Sequence, residues 1–466
     1  MNLSAMAREA FGVKALEYPS VRADINACWA AYQGRPYWLS KEDNVASVGM
    51  ATTICQESAR LTMIGTRVHI DGSSRAEYLQ KVIDKNYNSI RMWVEWAHAC
   101  GTVIVKPNGD DFDVYLPGEF IVTETNNNDI SAAVFVTRKN VGDDYFTRLE
   151  WHRFENGQYC ISNRCFIRDS KEDVEREIPI ELTPWKGIDE EATIDELEYP
   201  LFATIKTPNA NNIDIDCPIT LPLFSSSMQE LHDLDIAYSR FTKEIDDSKR
   251  TVLIDADRLM VGGGERTDRS SRIGSLDLAR SRMGLPDMIR AVEGNGNNDI
   301  YNEINPSLNT STRLEGINHL LSEIGYKVGF SNGYFVFNEQ QGIQTATGVE
   351  ASQQRTIQFI KDCRDNVENA IKLLIEALSK VADVYNLAPV GKYELTLDFG
   401  DLTYNRDEDR LRYLSYVSMG KFPFWRYLVK FEGYTEEEAK QIEQEAQPAQ
   451  MGITDLFATA AGGTNA

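Results

Sequence analysis

Apolar positions along this chain follow two rhythms, one of helices and one of strands. The longest helical stretch runs through Ile360, Val367, Ile371, Leu374, Leu378, Val381 and Tyr385. After the first gap the steps alternate between four and three, which places these residues on one stripe of a helix. No proline interrupts it, and a helix over 349–386 would be on the order of 55 Å long at ~1.5 Å per residue. Such a helix is longer than an ordinary globular one and needs large neighbours. A second stripe joins Met228, Leu231, Leu234, Tyr238, Phe241 and Ile245, with Asp233, Asp235, Lys243, Glu244 and Asp247 on other faces. A third joins Leu314, Ile317, Leu320, Leu321 and Ile324, with Thr310 or Ser311 as its cap. Val45 to Met63 reads as a mostly buried helix, and Trp93, Trp96 and Cys100, three and four apart, read as core packing.

Between these helices the period drops to two. Gly101 to Lys106 and Asp111 to Leu116 read as strands joined by a Pro107-Asn108-Gly109 turn. Ala132 to Val136, Phe146 to His152 and Gln158 to Asn163 follow, each after turn-forming Asn or Gly residues, as an antiparallel meander. The acidic stretch from Asp169 to Glu198, broken by Pro179 and Pro184, reads as a solvated surface segment. Tyr393 to Phe399 alternates as one more strand, and Asn405 starts two helical segments that end near Gln447.

At 466 residues the chain is too long for one compact core. Its 48 basic and 71 acidic residues give a net charge of −23. Such a surface repels duplex DNA, which carries one charge per ~1.7 Å. Tight DNA binders such as repressors are therefore disfavoured, whereas a conduit through which DNA slides without sticking is compatible with this balance. The seven cysteines include no C-x-x-C pair, and an odd count leaves at least one free thiol. A reduced intracellular protein is the simpler reading. With no signal peptide and no apolar run near ~18 residues, synthesis and assembly in a cytoplasm are expected. His152 near Cys160 and Cys165 lacks a second histidine, so no metal site is expected.

One segment reverses the charge. Nine basic residues between Lys249 and Arg290, including Arg258, Arg266, Arg269 and Arg272, face six acidic ones. Gly262-Gly263-Gly264 loosens this segment, and it lacks the G-K-[ST] ending of a phosphate loop. It reads either as an exposed insertion or as a contact surface. Strands at 286–290 and 300–304, flanked by the second and third helices, complete a helix-out, β-insertion, helix-back order. Downstream, Gly329-Phe330-Ser331-Asn332-Gly333 matches a serine-hydrolase elbow with Ser331 as nucleophile. That motif needs a preceding strand and a later histidine. Here a helix precedes it, and the last histidine is His319.

Gly329-x-Ser331-x-Gly333-x-Phe335-x-Phe337, followed by Gln344-Thr345-Ala346-Thr347 opening a long helix, resembles the portal proteins of tailed bacteriophages, long-tailed ones in particular. The resemblance extends more weakly over most of the chain. It implies an α+β fold with a mixed α/β wing, a two-helix stem, a small β-rich clip, a long tunnel helix and an α-helical crown. On this chain the wing would cover 1–222, the outgoing stem helix 223–250, the clip 251–309 and the returning stem helix 310–329. The tunnel loop would be 330–348, the long helix with a return to the wing 349–400, and the crown 401–447. The tail 448–466, rich in Gly, Ala and Thr, is expected to be disordered. One departure is Gly348, where relatives commonly carry an acidic residue, which implies a looser helix start.

The same resemblance implies a dodecameric ring at one capsid vertex, with duplex DNA passing through it without sequence specificity. Terminase would dock on the clip during packaging and a head-tail adaptor afterwards, and major capsid and scaffolding proteins would be further partners. The location would be the virion, with assembly in the host cytoplasm. No cofactor, metal, membrane or catalysis is implied. Asn338, Glu339, Gln340, Gln341 and Gln344 would face DNA with mainly uncharged groups, which touch phosphates without strong ion pairing. Lys243, Lys249 and Lys327 would offer a weak inner ring of positive charge, and Arg258, Arg266, Arg269 and Arg272 a clip contact surface. The alternatives are a capsid or adaptor protein without a channel, and a hydrolase using Ser331.

Overall fold

The computed structural model describes residues 3–40, 44–169, 175–195, 197–248, 251–255, 289–292, 301–304, 310–337, 346–400, 406–432, 434–435 and 438–443. The protein is mixed α+β and divides into two compact units, Met1–Met63 with Val68–Leu397, and Ile64–Arg67 with Asp398–Ala466. Early helices are α1 (Leu3–Phe11), α2 (Pro19–Tyr32), α3 (Met50–Met63) and α4 (Ser74–Cys100), with strand β1 (Arg67–Asp71) between the last two. Strands β2 (Thr102–Asn108), β3 (Asp111–Tyr115), β4 (Phe120–Asn126), β5 (Asp129–Val141), β6 (Asp144–Glu155) and β7 (Gln158–Asp169) follow. Shorter strands are β8 (Arg176–Ile178), β9 (Glu191–Ile194) and β10 (Ala203–Lys206). Then come α5 (Met228–Asp247), strands β11 (Thr251–Asp255), β12 (Ile289–Val292) and β13 (Tyr301–Ile304), α6 (Thr310–Val328), α7 (Ala346–Val384) and β14 (Glu394–Asp398).

The long helix is α7, and its stripe is the spine of the first unit. Val367, Ile371, Leu374 and Leu378 join a core with Ala59 and Met63 of α3, Leu79, Ile83 and Val94 of α4, and Val103 and Val105 of β2. The stripe ends one step earlier than its periodicity predicts. Tyr385 lies past the helix and is 67 % exposed, because Asn386 takes φ 49° and the Leu387 N–H closes the end on the Ala382 carbonyl. Helix α3 likewise starts at Met50 rather than Val45, since Gly49 has φ 75°. Trp93 and Cys100 are buried in the core as expected, with Trp96 packed against it.

The sheets follow from turn chemistry, with three corrections to the sequence reading. Pro107 and Asn108 belong to β2, opposite Phe112 and Asp111, so the turn is Gly109-Asp110. Proline is tolerated there because β10 pairs with β2 only as far as Val105, and no ladder bond is lost. Strands β5 to β7 run well beyond their apolar centres, through polar pairs such as Arg138 with Thr147 and Asn140 with Tyr145. Their tight turns use Asn127 (φ 49°), Asn128 (φ 66°), Asn156 (φ 52°) and Gly157 (φ 80°). The described part of the acidic stretch is not merely solvated: β8 and β9 both pair with β7, while Ile180 and Trp185 are buried against Phe146 and Cys165. Two apolar anchors outweigh the charge around them.

His152 is committed inside this sheet. Its Nδ1 lies 2.8 Å from the Tyr159 hydroxyl, which already accepts the Leu201 N–H at 3.0 Å. Burial keeps the ring neutral and the ionised Glu150 can only accept, so Nε2 carries the proton given to Glu150 at 2.9 Å and Nδ1 accepts from the hydroxyl. Glu150 also pairs with Lys106 and, at 2.9 Å, with Arg148. Burial alone would raise the Glu150 carboxyl, but these cations and the His152 donor hold it well below the usual range. Both ring nitrogens are occupied, which leaves no lone pair for a metal. Among the described residues no His, Cys, Asp and Glu side chains gather as a metal site.

In the second unit, α8 (Arg406–Ser418) and α9 (Phe424–Tyr427) lead into a π-helical turn, Leu428–Glu432. Gly420 at φ 68° ends α8, and Thr435 with Glu438 forms a capping box (2.8 Å between side chains). Tyr427, Leu428, Phe431 and Ala439 are its small core.

Candidate functional site

Helices α5 and α6 lie antiparallel on either side of the β11–β13 insertion. Lys327 pairs with Glu230, and Arg313 with Glu244 at 2.9 Å, so the ion pairs are fourteen residues apart on both helices (230 to 244, 313 to 327). Burial is graded along the pair. Leu231, Leu234 and Asp235 on α5 and Ile317, Leu321, Ile324 and Val328 on α6 are buried at one end. Towards the insertion, Tyr238 and Ile245 are 37 % and 44 % exposed, and residues 310–313 are exposed. The helix α6 begins at Thr310, so Thr310 and Ser311 are its first two helical residues.

Asp235, set on another face than the apolar stripe by the sequence reading, is buried with the stripe. It is 3 % exposed and accepts the Trp38 indole N–H at 2.9 Å and the Val48 N–H at 2.8 Å. Burial raises its carboxyl pKa, and these donors offset part of the rise. Trp38 also lies 5.1 Å from the His232 ring, so the base of α5 is pinned to the turn after α2.

In the insertion, β11 is the central strand, parallel to β12 and antiparallel to β13. The sequence reading found the two outer strands and missed β11, whose apolar run of Val252-Leu253-Ile254 is too short to separate from the end of α5.

Past α6 the chain turns on Gly329, at φ 121°, where a Cβ would come within 2.8 Å of the Phe359 ring. Only glycine lets the chain pass there. Phe330, fully buried, then sits among Tyr334, Phe335 and Phe359 with ring centroids 4.8–5.4 Å away. Ser331 is 6 % exposed and interlocked with α7: its N–H donates to the Thr356 hydroxyl at 2.8 Å, and its own oxygen accepts from the Thr356 N–H at 3.2 Å. A serine so placed is buried, and among the described residues its hydroxyl meets Thr356 and no histidine, so the elbow motif is a packing motif here. Tyr334 donates to Glu57 on α3 at 2.5 Å, and the Phe337 N–H reaches Asn318 on α6 at 3.1 Å. Arg355 stacks over Tyr326 at 4.0 Å and donates to its carbonyl. The segment 330–337 is thus tied to α3, α6 and α7 at once. Hydrogen bonds from Arg60, then from Tyr334, lower the Glu57 pKa, while burial and that carboxylate raise the Tyr334 hydroxyl.

A family model described as "Phage portal protein, SPP1 Gp6-like" matches residues 31–451. The chain belongs to this portal protein family. The family is structural rather than enzymatic, which agrees with the burial of Ser331, and it places the protein in the phage virion. No curated protein matches. Among solved structures, the portal chain is similar to one from "Virion of native gene transfer agent (GTA) particle", at 10 % identity and a TM-score of 0.46, covering 93 % of this chain and 99 % of that one.

Of the residues expected to meet DNA in this portal protein, Asn338, Glu339, Gln340, Gln341 and Gln344 lie outside the described residues, as do Lys249 and the clip arginines Arg258, Arg266, Arg269 and Arg272. Lys243 is exposed on α5. Lys327 does not stand alone as a cation: Glu230 and, at 3.8 Å, Glu323 hold its ammonium. Sequence reasoning missed Glu57, Asn318 and Thr356, which brace 330–337, and set Asp235 apart from the apolar stripe. Only Tyr334, in its aromatic run, carried a signal, and its partner is 277 residues away.

Proposed function

We propose that this portal protein forms a dodecameric ring at one capsid vertex and that duplex DNA passes through its centre during packaging and ejection. Helices α5 and α6 would be the stem, and 251–309 the clip on which terminase and later a head-tail adaptor dock. The loop within 330–348 would line the channel, residues 1–222 the wing, and 401–447 the crown. Capsid and scaffolding proteins would surround the ring, which would assemble in the host cytoplasm.

The observation that carries this reading is the bracing of 330–337. A channel loop must project while its base resists force from moving DNA. Here the base is locked to α7 by a buried phenylalanine and a serine–threonine interlock, to α3 by a tyrosine–carboxylate bond, and to α6 by the Phe337 N–H on Asn318. The expected, mainly uncharged tip would touch phosphates weakly enough for sliding.

Electron-microscopy class averages and the mass of the purified protein, over a range of salt and concentration, test the assembly. A closed ring of about twelve subunits with a duplex-sized pore supports it. Deletion of residues 338–345 tests the channel: rings should persist while packaging or DNA retention is lost. Rings that still package after this deletion would favour a capsid or adaptor component without a DNA channel.

A further inference from the structure

Helix α3 serves both units of this chain. Its last residue is Met63, and Ile64, the next, is the first residue of the second unit. Within that unit two backbones come close together. A Cβ on Gly65, at φ 69°, would stand 2.9 Å from the Gly400 Cα, and one on Gly400 the same distance from the Gly65 Cα. Six residues before its end, the same helix presents Glu57. One oxygen of Glu57 accepts the Tyr334 hydroxyl at 2.5 Å and Arg60 Nη2 at 2.7 Å, and the other accepts Arg60 Nε at 2.8 Å. The guanidinium fork thus orients the carboxylate that Tyr334 meets.

The attachments of 330–337 differ in how deeply they are set. Phe330 and Ser331 are buried against Phe359 and Thr356 of α7. Beyond them Gly333 turns the chain at φ 80°, and the bond from Tyr334 to α3 lies nearer solvent, with the Glu57 side chain 22 % exposed. A hydrogen bond weakens steeply once it lengthens or bends, so a displacement of α3 acts first on this bond. Between Glu57 and its end, α3 buries Ser58, Ala59, Thr62 and Met63, and close packing passes a small shift along the helix instead of absorbing it. Arg364 of α7, on the Thr62 and Leu61 carbonyls at 3.0 and 3.2 Å, opposes that transfer by holding α3 to α7.

We propose that α3 couples the second unit to the loop base, with Glu57 as the positioning residue: a shift imposed on Ile64–Arg67 changes how firmly Tyr334 is held. The coupling rests on these contacts alone, whereas its use, to let the second unit set the hold on a loop that meets DNA, rests on the portal reading. Linkage makes it reciprocal, so releasing Tyr334 loosens 64–67 by a similar factor. Gly400→Ala delivers such a shift. Its methyl would meet the Gly65 Cα at 2.9 Å and the Ile64 carbonyl oxygen at 3.3 Å, and that backbone must give way.

Hydrogen exchange of the full-length protein reads the hold through the Tyr334, Val336 and Phe337 amides, which donate to Ser331, Gly333 and Asn318. Tyr334→Phe keeps the ring and removes the bond to a carboxylate, and should speed their exchange roughly tenfold. Glu57→Gln should act in the same direction, and the double variant no more than the stronger single one. Gly400→Ala should speed the same amides by roughly fivefold, the low end of measured couplings, and add nothing in the Tyr334→Phe background. An equal factor in both backgrounds overturns the proposal. So does a Gly400→Ala protein whose exchange changes at 64–67 and not at 334–337, because Arg364 then holds α3 still. The reciprocal measurement leaves the second unit unaltered: Tyr334→Phe alone should speed exchange over 64–67, and no change there overturns the coupling even where Gly400→Ala does not fold. Ring formation is scored on the same samples. Rings without coupling reject only this inference, whereas failure of the unaltered chain to form rings counts against the portal reading and leaves the exchange result standing.

Discussion

Arginines act at two places in this protein in contrasting ways. At the end of α7 the Arg75 side chain, from α4, is 1 % exposed and donates to the Ser379, Ala388 and Pro389 carbonyls at 2.7, 2.8 and 3.0 Å, besides Asp383. Arg364, on α7, reaches the Thr62 carbonyl at the end of α3 at 3.0 Å. Arg75 thus ties α4 to α7 and to the loop that follows it, and Arg364 takes up a carbonyl that the end of α3 leaves unpaired. On α6, Arg313 is 53 % exposed and meets one carboxylate. Exposed pairs of that kind are worth ~0–1 kcal/mol. The end of the long helix is therefore held by buried donors, whereas the charges between α5 and α6 set register more than stability. Tyr238 and Ile245, towards the insertion, are half-exposed.

The largest expected effect comes from breaking the buried side of this contrast. Arg75→Ala should lower unfolding stability by roughly 3–5 kcal/mol, because three carbonyls and Asp383 lose a desolvated donor together. Urea midpoints at fixed protein concentration measure it. A cost no larger than that of Arg313→Ala would erase the distinction between the two regions.

Next in size is a pH effect confined to the core. His98 is buried beside Ser58, 2.7 Å from its hydroxyl, and burial lowers its pKa to about 3. The ordinary histidine value is ~6.5, so between those values the unfolded chain binds the extra proton and the folded one does not. Stability is therefore fully present above about pH 6.5 and falls as pH drops towards 3, by up to ~1.4 kcal/mol per pH unit. The slope of urea stability between pH 6.5 and 4.5 should flatten in His98→Gln. An unchanged slope would mean that His98 is accessible to protons in the folded protein.

The same contrast explains which parts of the fold were legible in the sequence. The α7 stripe, the hairpin turns and the helix–insertion–helix order rest on local periodicity and turn residues, which a single sequence displays. Asp235 was misplaced because helical spacing alone cannot show that Trp38 and Val48 come to meet it. Ser331 resembled a nucleophile because a motif records spacing but not burial, and Thr356 lies a full helix start away. Strand β11 was hidden because three apolar residues have no period of their own. The pairing of Lys327 was hidden because its partner Glu230 is 97 residues distant.

At intermediate size, Ser331→Ala should cost about 1–2 kcal/mol by leaving Thr356 hydrogen-bonding groups buried without a partner. Thr356→Val should cost a similar amount, and the double variant clearly less than the sum, because the two hydroxyls act as one unit. Additive costs would mean that the interlock is not what holds the loop base. Neither variant should alter esterase activity, since none is expected.

The smallest effect sharpens the stem side. Lys327→Met removes contacts to Glu230 and Glu323 and should change stability by no more than ~1 kcal/mol, less at high salt. Its ammonium is committed to two carboxylates, so packaging and DNA retention should also be unaffected. Lys243 is exposed and offers its charge outward. If basic groups on the stem assist sliding DNA, Lys243→Met should slow packaging at low salt more than Lys327→Met does. Equal effects of the two would show that the Glu230 pair opens whenever DNA is present, and would move the stem from a structure set by fixed pairing to one in which DNA phosphates compete for its lysines.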